Sequence, residues 1–455
     1  MLDGCNLKTR SGEPMASKAL YKTKPLESWR KAKELRLDFY REIAESRSPG
    51  AAKLLISGGT ESFIALPAGL GDYVFFGGEP YAASLAASDP KFALECQEAV
   101  EAKHMARDAC AYMRNYLGSL LLDRYLFGGP FPRADLLLQT HICDTHAKWY
   151  QIVRELEGIP YFAVDFVPLR WEETEEGKRQ KIDYLSTQLL DAIEWMEQST
   201  GRAYQDDLLI EAVENECLST ALWAECCMLN QATPATMDEK SMYSLYIIAV
   251  LMRHRRESVE FYRMLLDELK DRVADQIAAV PTERCRILHD SQPPWHALHI
   301  FRYLERYGAV AVGSNYDFGL SGGWYFKEGE LLRPATPPMV RGVAFRTRED
   351  AVRAMAGWWL GHNLVVRGLR FSGPGKNALM VQMAREWHCD GAMIHLNRGC
   401  EGAAMGQMEA RLALAQAGFP VMTYEGNMAD PGEFDEARTL ARIDTFMESM
   451  GLRML

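Results

Sequence analysis

The sequence predicts an α/β protein with two parallel-sheet domains, of the Rossmann or flavodoxin-like type, and an all-helical insert between them. In both halves of the chain, short apolar runs closed by Gly or Pro alternate with longer amphipathic stretches, which is typical of βαβ units. Between the halves, strand patterns stop and charged helical patterns dominate. The length of 455 residues agrees with about three domains.

The first 27 residues are polar and irregular and predict an N-terminal tail, residues 1–27. The first α/β domain is predicted over residues 28–170. It begins with a helical pattern over 29–45, and a long amphipathic stretch over 91–122 predicts a continuous helix. The predicted strands of this domain cover residues 52–57, 73–76, 135–140 and 161–164.

The helical domain is predicted over residues 171–284, where helical spacing is clearest over 181–199 and 241–276. The second α/β domain is predicted over residues 285–455. Its predicted strands cover residues 286–288, 309–312, 391–396 and 420–424. Because helical stretches separate these strands, the second half also predicts a mostly parallel sheet.

Charge and hydropathy argue against several classes of function. The 62 acidic and 51 basic residues give a net charge of −11, which opposes binding to the phosphate backbone of nucleic acids. The longest apolar run, residues 243–252, is about half of what a membrane-spanning helix needs, so no membrane crossing is expected. The N-terminus lacks the apolar core of a signal peptide. We therefore expect a cytoplasmic protein whose 10 cysteines are mostly reduced.

Two cysteines hold equivalent positions in the two α/β halves. Cys143 follows the predicted strand at 135–140, and Cys400 follows the predicted strand at 391–396. Both therefore lie just past the carboxyl end of a parallel strand, where open α/β sheets form their binding sites. The start of a following helix also stabilises a thiolate. These two thiols are the first candidate functional groups.

Cys110 is the third candidate and lies on the long helix predicted over residues 91–122. Three thiols from separate segments that meet between the α/β domains suit an iron–sulfur cluster, with a fourth iron left open. They also suit a zinc site of three Cys and one His, although the chain has no Cys-x-x-Cys or His-x-x-x-His pair. Any one of them alone could instead fill the core as a small apolar side chain.

Further polar residues near the predicted strand ends extend this set. His141 and His146 flank Cys143 and are candidate proton donors, or else loop histidines with a structural role. Cys389 is a spare candidate ligand. The candidate oxygen ligands, which are alternatively loop residues, are Thr60, Glu61 and Ser62.

Residues 319–323 match the Gly-x-Ser-x-Gly pattern of esterases, which needs a strand directly before the serine and a helix directly after it. The preceding residues 315–318 do not form a clear strand pattern, so we predict a glycine-rich surface loop instead. No Walker phosphate-binding loop occurs in the sequence, so we do not expect the chain itself to hydrolyse ATP by that route.

An ordered set of segments resembles the 2-hydroxyacyl-CoA dehydratase and benzoyl-CoA reductase family. In the first half these segments are residues 110–118, 132–138, 143–149 and 158–162. In the second half they are residues 308–312, 390–394, 418–420, 425 and 441–446. The resemblance extends over most of residues 30–455, and the helical insert is its least diagnostic part.

This resemblance implies a cluster-bearing subunit in which Cys110, Cys143 and Cys400 hold a [4Fe-4S] cluster, with a fourth iron left for water or substrate. It implies a CoA thioester as substrate and a related or identical subunit as partner in a dimer. It also implies a separate activator subunit that hydrolyses ATP to deliver a low-potential electron. ATP is then a cofactor of the activator, and the enzyme is an oxidoreductase or a lyase.

One departure from the family pattern bears on the choice between its branches. Dehydratase subunits tend to carry Asp-Asp and Gly-Ser-Arg after the strand that corresponds to residues 309–312, whereas residues 313–323 read differently here. We therefore predict a benzoyl-CoA reductase-like subunit of an ATP-driven acyl-CoA reductase. The alternatives are a dehydratase subunit that works through a ketyl radical, a non-catalytic subunit that relays electrons or acts as a scaffold, and a zinc enzyme of carbohydrate or nucleotide metabolism.

Overall fold

Two four-stranded sheets, both entirely parallel, organise the protein in the computed structural model, which describes residues 19–60, 63–327, 329–369 and 374–455. The strands are β1 (Lys22–Thr23), β2 (Leu54–Gly58), β3 (Tyr73–Gly77), β4 (Leu136–Thr140), β5 (Tyr161–Val164), β6 (Ile277–Ala278), β7 (Cys285–Asp290), β8 (Ala309–Ser314), β9 (Trp324–Tyr325), β10 (Arg333–Pro334), β11 (Gly391–Asn397) and β12 (Val421–Gly426).

Most of the remaining chain is helical. The α-helices are α1 (Ser28–Glu45), α2 (Gly78–Ser88), α3 (Pro90–Glu101), α4 (Ala111–Leu121), α5 (Asp144–Glu157), α6 (Glu175–Thr200), α7 (Asp206–Leu229), α8 (Glu239–Leu245), α9 (Ile247–Met252), α10 (Arg256–Ala274), α11 (His299–Tyr303), α12 (Asn315–Ser321), α13 (Arg348–His362), α14 (Leu364–Leu369), α15 (Pro374–Glu386), α16 (Glu401–Ala404), α17 (Gln407–Gln416) and α18 (Glu436–Ser449). Short 3-10 helices cover Leu66–Leu70, Trp295–Ala297, Leu304–Tyr307, Pro338–Arg341 and Pro431–Glu433.

The first sheet has the strand order β3-β2-β4-β5, and Ile56 of β2 pairs with Phe75 on one side and Leu136 on the other. The second sheet has the order β12-β11-β7-β8, and Ile394 of β11 pairs with Asp290 of β7. Strands β3, β4, β7 and β8 are buried along their whole length, as is usual for parallel sheets with helices on both faces, whereas β5 and β12 at the sheet edges are only partly buried. The predicted fold class is confirmed, and each of the eight predicted strands overlaps an observed one.

The long helices that follow the first sheet in the chain cover one of its faces. Helix α7 packs against both α10 and α13. Its residues Leu209 and Val213 share a buried cluster with Ile56 of β2 and Trp359 of α13. No helix in the described part of the chain has both the length and the apolar composition of a membrane span.

A short parallel pairing joins the predicted tail to the predicted helical domain. Lys22 of β1 pairs with Ile277 of β6. The expectation that strands are missing throughout residues 171–284 is therefore wrong at β6, because a strand of two residues has no periodicity to detect. Residues 1–18 lie outside the described residues. We retain residues 28–170, 171–284 and 285–455 as a proposed division into domains.

The continuous helix predicted over residues 91–122 is wrong. The structure has two helices, α3 and α4, and His104 between them has a left-handed backbone with φ of 66°. The buried guanidinium of Arg114 holds this connection, because it donates to the Ala109 carbonyl at 3.1 Å and pairs with Glu101 at 3.2 Å and Asp430 at 2.7 Å. These contacts override a local sequence that is compatible with a helix, and they leave a new helix start directly after Cys110.

The surface loop predicted at residues 319–323 is also wrong. Helix α12 runs through this pattern as far as Ser321, and Ser321 is buried. The helix starts where it does because Ser314 and Asp317 form a capping box. Since helical residues precede Ser321, the strand that an esterase nucleophile requires is missing there, as expected.

Candidate functional site

Residues that follow strands of both sheets line a single cavity. After β2, β3 and β4 these residues are Thr60, Glu79 and Cys143, and after β7, β8 and β11 they are Ser291, Asn315 and Cys400. The carboxyl ends of the two sheets therefore open onto the same space, which is the usual location of a site in parallel α/β proteins. The surface that the cavity exposes is mostly carbon.

The structure brings the three predicted cysteines to this cavity. Each cysteine stands immediately before a helix: Cys110 before α4, Cys143 before α5 and Cys400 before α16. The sulfur of Cys400 accepts hydrogen bonds from the Ala403 amide at 3.4 Å and from Nε2 of Gln292 at 3.1 Å. Backbone amides at helix starts favour a thiolate, so this position offsets part of the cost of ionising each buried thiol.

The charges of the three thiols influence one another. Burial raises the pKa of Cys110, and the neighbouring charges of Cys400 and Cys143 raise it further. Burial and the charge of Cys143 likewise raise the pKa of Cys400. At Cys143, burial also opposes ionisation, but the charge and hydrogen bonding of His146 outweigh it and lower the pKa. With His146 present, the pKa values of Cys110 and Cys400 are still raised, so ionisation of all three thiols together needs further positive charge among them.

A metal cofactor would supply this positive charge. The three side chains around it would offer soft sulfur atoms as ligands. Among the residues that the structure describes, no three His, Cys, Asp or Glu side chains stand close enough to share a single metal ion. The three sulfurs instead lie around the wall of the cavity. The role of Cys110, Cys143 and Cys400 as cluster ligands stays a prediction.

Of the two predicted histidines, the structure brings only His146 to the cavity. Nε2 of His146 pairs with Oε1 of Glu79, and Oε2 of Glu79 accepts a hydrogen bond from the Thr60 amide at 2.9 Å. Burial lowers the pKa of His146, but the charges of Glu79 and Cys143 outweigh it and raise this pKa well above its usual value. The position of His146 between a carboxylate and a thiol therefore favours its protonated form, the imidazolium.

The remaining candidates lie in different places. His141 faces Asp165, with 3.4 Å between Nδ1 and Oδ1, and lines a different depression at the edge of the first sheet. Thr60 lines the cavity, whereas Glu61 and Ser62 lie outside the described residues. Cys389 is buried and does not belong to the cavity wall.

Several residues of the cavity were missed by sequence reasoning. Glu79 had a usable signal, because it follows a predicted strand and the pair Gly77–Gly78 in the same way that Cys143 follows its own strand. Gln292 also follows a predicted strand. Lys376 and Tyr112 had no such signal, because they reach the cavity from helices α15 and α4.

The fold and the cavity define an α/β protein whose candidate site lies between two parallel sheets and carries three cysteines. The family model described as "2-hydroxyglutaryl-CoA dehydratase, D-component" matches residues 80–450. The chain therefore belongs to this family. The predicted resemblance to 2-hydroxyacyl-CoA dehydratases is confirmed.

Individual relatives agree with the family assignment. The chain is 26% identical to the (R)-2-hydroxyisocaproyl-CoA dehydratase alpha subunit of Clostridioides difficile, over 82% of this chain and 84% of that protein. It is 25% identical to the (R)-phenyllactyl-CoA dehydratase alpha subunit of Clostridium sporogenes, over 78% of this chain and 80% of that protein. It is 25% identical to (R)-2-hydroxyglutaryl-CoA dehydratase subunit alpha of Acidaminococcus fermentans, over 70% of this chain and 61% of that protein. These relatives give no support to the predicted closeness to benzoyl-CoA reductases.

Proposed function

We propose that this chain is a subunit of a 2-hydroxyacyl-CoA dehydratase, a lyase that removes water from a 2-hydroxyacyl-CoA thioester. The observation that carries the proposal is the meeting of Cys110, Cys143 and Cys400, from three separate segments, at one cavity beside the Glu79–His146 pair. The names of the relatives support the same reaction class. The dehydratase therefore replaces the reductase as the preferred function.

The three cysteines would hold the [4Fe-4S] cluster that the family resemblance implies. When bound, such a cluster would supply one-electron redox chemistry and Lewis acidity toward the thioester carbonyl. The irons would also supply the positive charge that three neighbouring thiolates need. The amide donors on Cys400 and the imidazolium beside Cys143 stabilise these sulfurs as anions.

The Glu79–His146 pair is suited to the proton transfers of a dehydration. The reaction breaks a C–H bond at C3 and the C–OH bond at C2, forms the double bond between these carbons, and releases water. We assign Glu79 as the base that accepts the C3 proton, because the Thr60 amide and His146 fix its carboxylate at the cavity wall. We assign His146 as the donor that protonates the leaving hydroxyl, because its imidazolium is buried beside the same space.

The proposal includes two further proteins. The relatives are named as alpha subunits, which supports a partner subunit for this chain, either related or identical. The sequence has no Walker loop, so the ATP-driven electron would come from a separate activator. The substrate is a CoA thioester, bound with its reacting carbons at the cavity.

Replacement of a single cysteine tests the proposal. In the anaerobically purified complex with its partner and activator, we expect Cys143→Ala to abolish turnover and to lower the iron content from about four atoms per chain. Cys389→Ala is the matched control, because this buried cysteine lies outside the cavity wall and should retain both iron and turnover. Normal turnover and iron in Cys143→Ala would refute the proposal and favour a scaffold role.

A further inference from the structure

The charged side chains that the structure describes on the cavity wall occur as two ion pairs. Among the described residues of the wall, the charged groups are Glu79, His146, Asp290 and Lys376. Glu79 pairs with His146, and Nζ of Lys376 lies 3.5 Å from Oδ2 of Asp290. Each cation therefore has its own carboxylate.

The Lys376–Asp290 pair is deeply buried. Lys376 is 5% exposed and Asp290 is 1% exposed. Nζ of Lys376 also donates a hydrogen bond to the Met405 carbonyl at 3.3 Å. Because Asp290 neutralises Lys376, this ammonium does not give the cavity a net positive charge that would attract an anion.

Apolar side chains form much of the remaining wall. Ile142 follows β4, Leu320 belongs to α12, and Val365 belongs to α14. Tyr316 and Ala403 add further carbon surface. An aliphatic or aromatic group placed here would leave water for an apolar environment, which favours binding. A carboxylate would lose its hydration and find both cations already paired.

We infer that the acyl group accepted by this cavity is uncharged, namely an aliphatic or aromatic 2-hydroxyacyl group, and that Asp290 enforces this choice by neutralising Lys376. A dicarboxylic 2-hydroxyacyl group is rejected because its distal carboxylate would lie near Glu79 and Asp290, and each cation in the described part of the wall is already paired with one of these carboxylates. The inference rests on the proposed function, since it names the substrate class of that same site.

Equilibrium binding to the complex, without reductant or activator, measures this preference independently of turnover. The probes are 2-hydroxyisocaproyl-CoA and 2-hydroxyglutaryl-CoA, titrated calorimetrically under anaerobic conditions. We expect the isocaproyl thioester to bind about 100-fold more tightly. Asp290→Asn should reduce this ratio by about 10-fold, because it leaves the Lys376 ammonium free to pair with a carboxylate.

Two further variants isolate the effect of the freed ammonium. Asp290→Asn combined with Lys376→Met should restore the native ratio, because the double variant again has no uncompensated charge. Asp444→Asn is the matched control, because Asp444 accepts hydrogen bonds from Tyr303 and Tyr307 and does not line the cavity. The ratio of the two binding affinities in this variant should equal the ratio in the native complex.

The outcomes separate this inference from the proposed function. Equal or tighter binding of 2-hydroxyglutaryl-CoA to the native complex would overturn the inference while leaving a dehydratase. An unchanged ratio in a folded Asp290→Asn complex would overturn the role of Asp290. If neither thioester binds, the inference fails together with the proposed function. The comparison of the two thioesters on the native complex tests the preference for an uncharged acyl group even where a variant does not fold.

Discussion

At the scale of single residues, the cavity shows how neighbouring charges set the state of each group. Cys143 and Cys110 are both partly buried thiols at helix starts, yet the pKa of one is lowered and that of the other is raised. The difference comes from His146, whose imidazolium lies beside Cys143 and is itself stabilised by Glu79. One carboxylate therefore influences both a histidine and a thiol.

Glu79→Gln tests the role of this carboxylate in proton transfer. We expect turnover to fall by about 10²- to 10⁴-fold, because an amide cannot accept the C3 proton. Iron content should remain that of the native chain, since the variant keeps all three cysteines. Glu155→Gln, on the exposed side of α5, is the control and should retain full turnover. Native turnover in Glu79→Gln, measured with a saturating thioester, would contradict the assignment.

At the scale of elements, the break between α3 and α4 places a thiol at the site. Without it, Cys110 would lie inside a continuous helix, where its neighbouring amides would bond to the preceding turn. Arg114 stabilises the break from within α4, because it bonds to Ala109 in the connection and to Asp430 in the loop after β12. The connection and the second half of the chain are thus held by the same side chain.

Arg114→Met should weaken this connection strongly. The guanidinium is fully buried, and its loss leaves the buried carboxylate of Asp430 without its charged partner. We expect the free energy of unfolding to fall by about 3–5 kcal/mol, read from urea denaturation of the purified chain.

Arg107→Met is the control for the Arg114 experiment, because Arg107 lies in the same connection but is largely exposed. Its contact with Glu433 is also weak, with 4.0 Å between Nε and Oε1. We expect it to change stability by less than about 1 kcal/mol. Equal unfolding curves for the two variants would show that Arg114 does not anchor the connection.

At the scale of the whole molecule, the site exists because the two sheets face each other. Gln97 of α3 and Asn115 of α4 both donate to the Ala429 carbonyl at 3.0 Å. Nε1 of Trp295 donates to the hydroxyl of Tyr112 at 2.5 Å. These bonds join residues that are 183 to 332 positions apart in the chain, and they align the strand ends of one sheet with those of the other.

Asn115→Ala tests whether this contact holds the site together. Asn115 is fully buried, so its removal costs one of the two donors to Ala429 and is expected to lower the free energy of unfolding by about 1–3 kcal/mol. Because the contact joins the parts of the chain that carry Cys110 and Cys400, iron should also be lost faster during anaerobic dialysis. Gln151→Ala serves as the control, because the half-buried Gln151 donates to Glu155 on the same helix α5 and does not take part in this contact. Unchanged stability and iron retention in Asn115→Ala would refute this role.

The sequence by itself determined the strands, their parallel arrangement and the position of two cysteines. Buried parallel strands appear as short apolar runs between turns, and each run predicts where its carboxyl end lies. Cys143 and Cys400 could be placed in this way because each follows such a run directly. The motif set was also sufficient to indicate the family, although residues 313–323 favoured a reductase branch that the relatives do not support.

Only the tertiary structure decided how the site is assembled. The start of α4 at Cys110, the Glu79–His146 pair and the Lys376–Asp290 pair all depend on contacts between residues far apart in the chain. Arg114 and Asp430, for example, are separated by 316 positions. Local spacing contains no information about such contacts, because each joins segments that only the complete fold brings together.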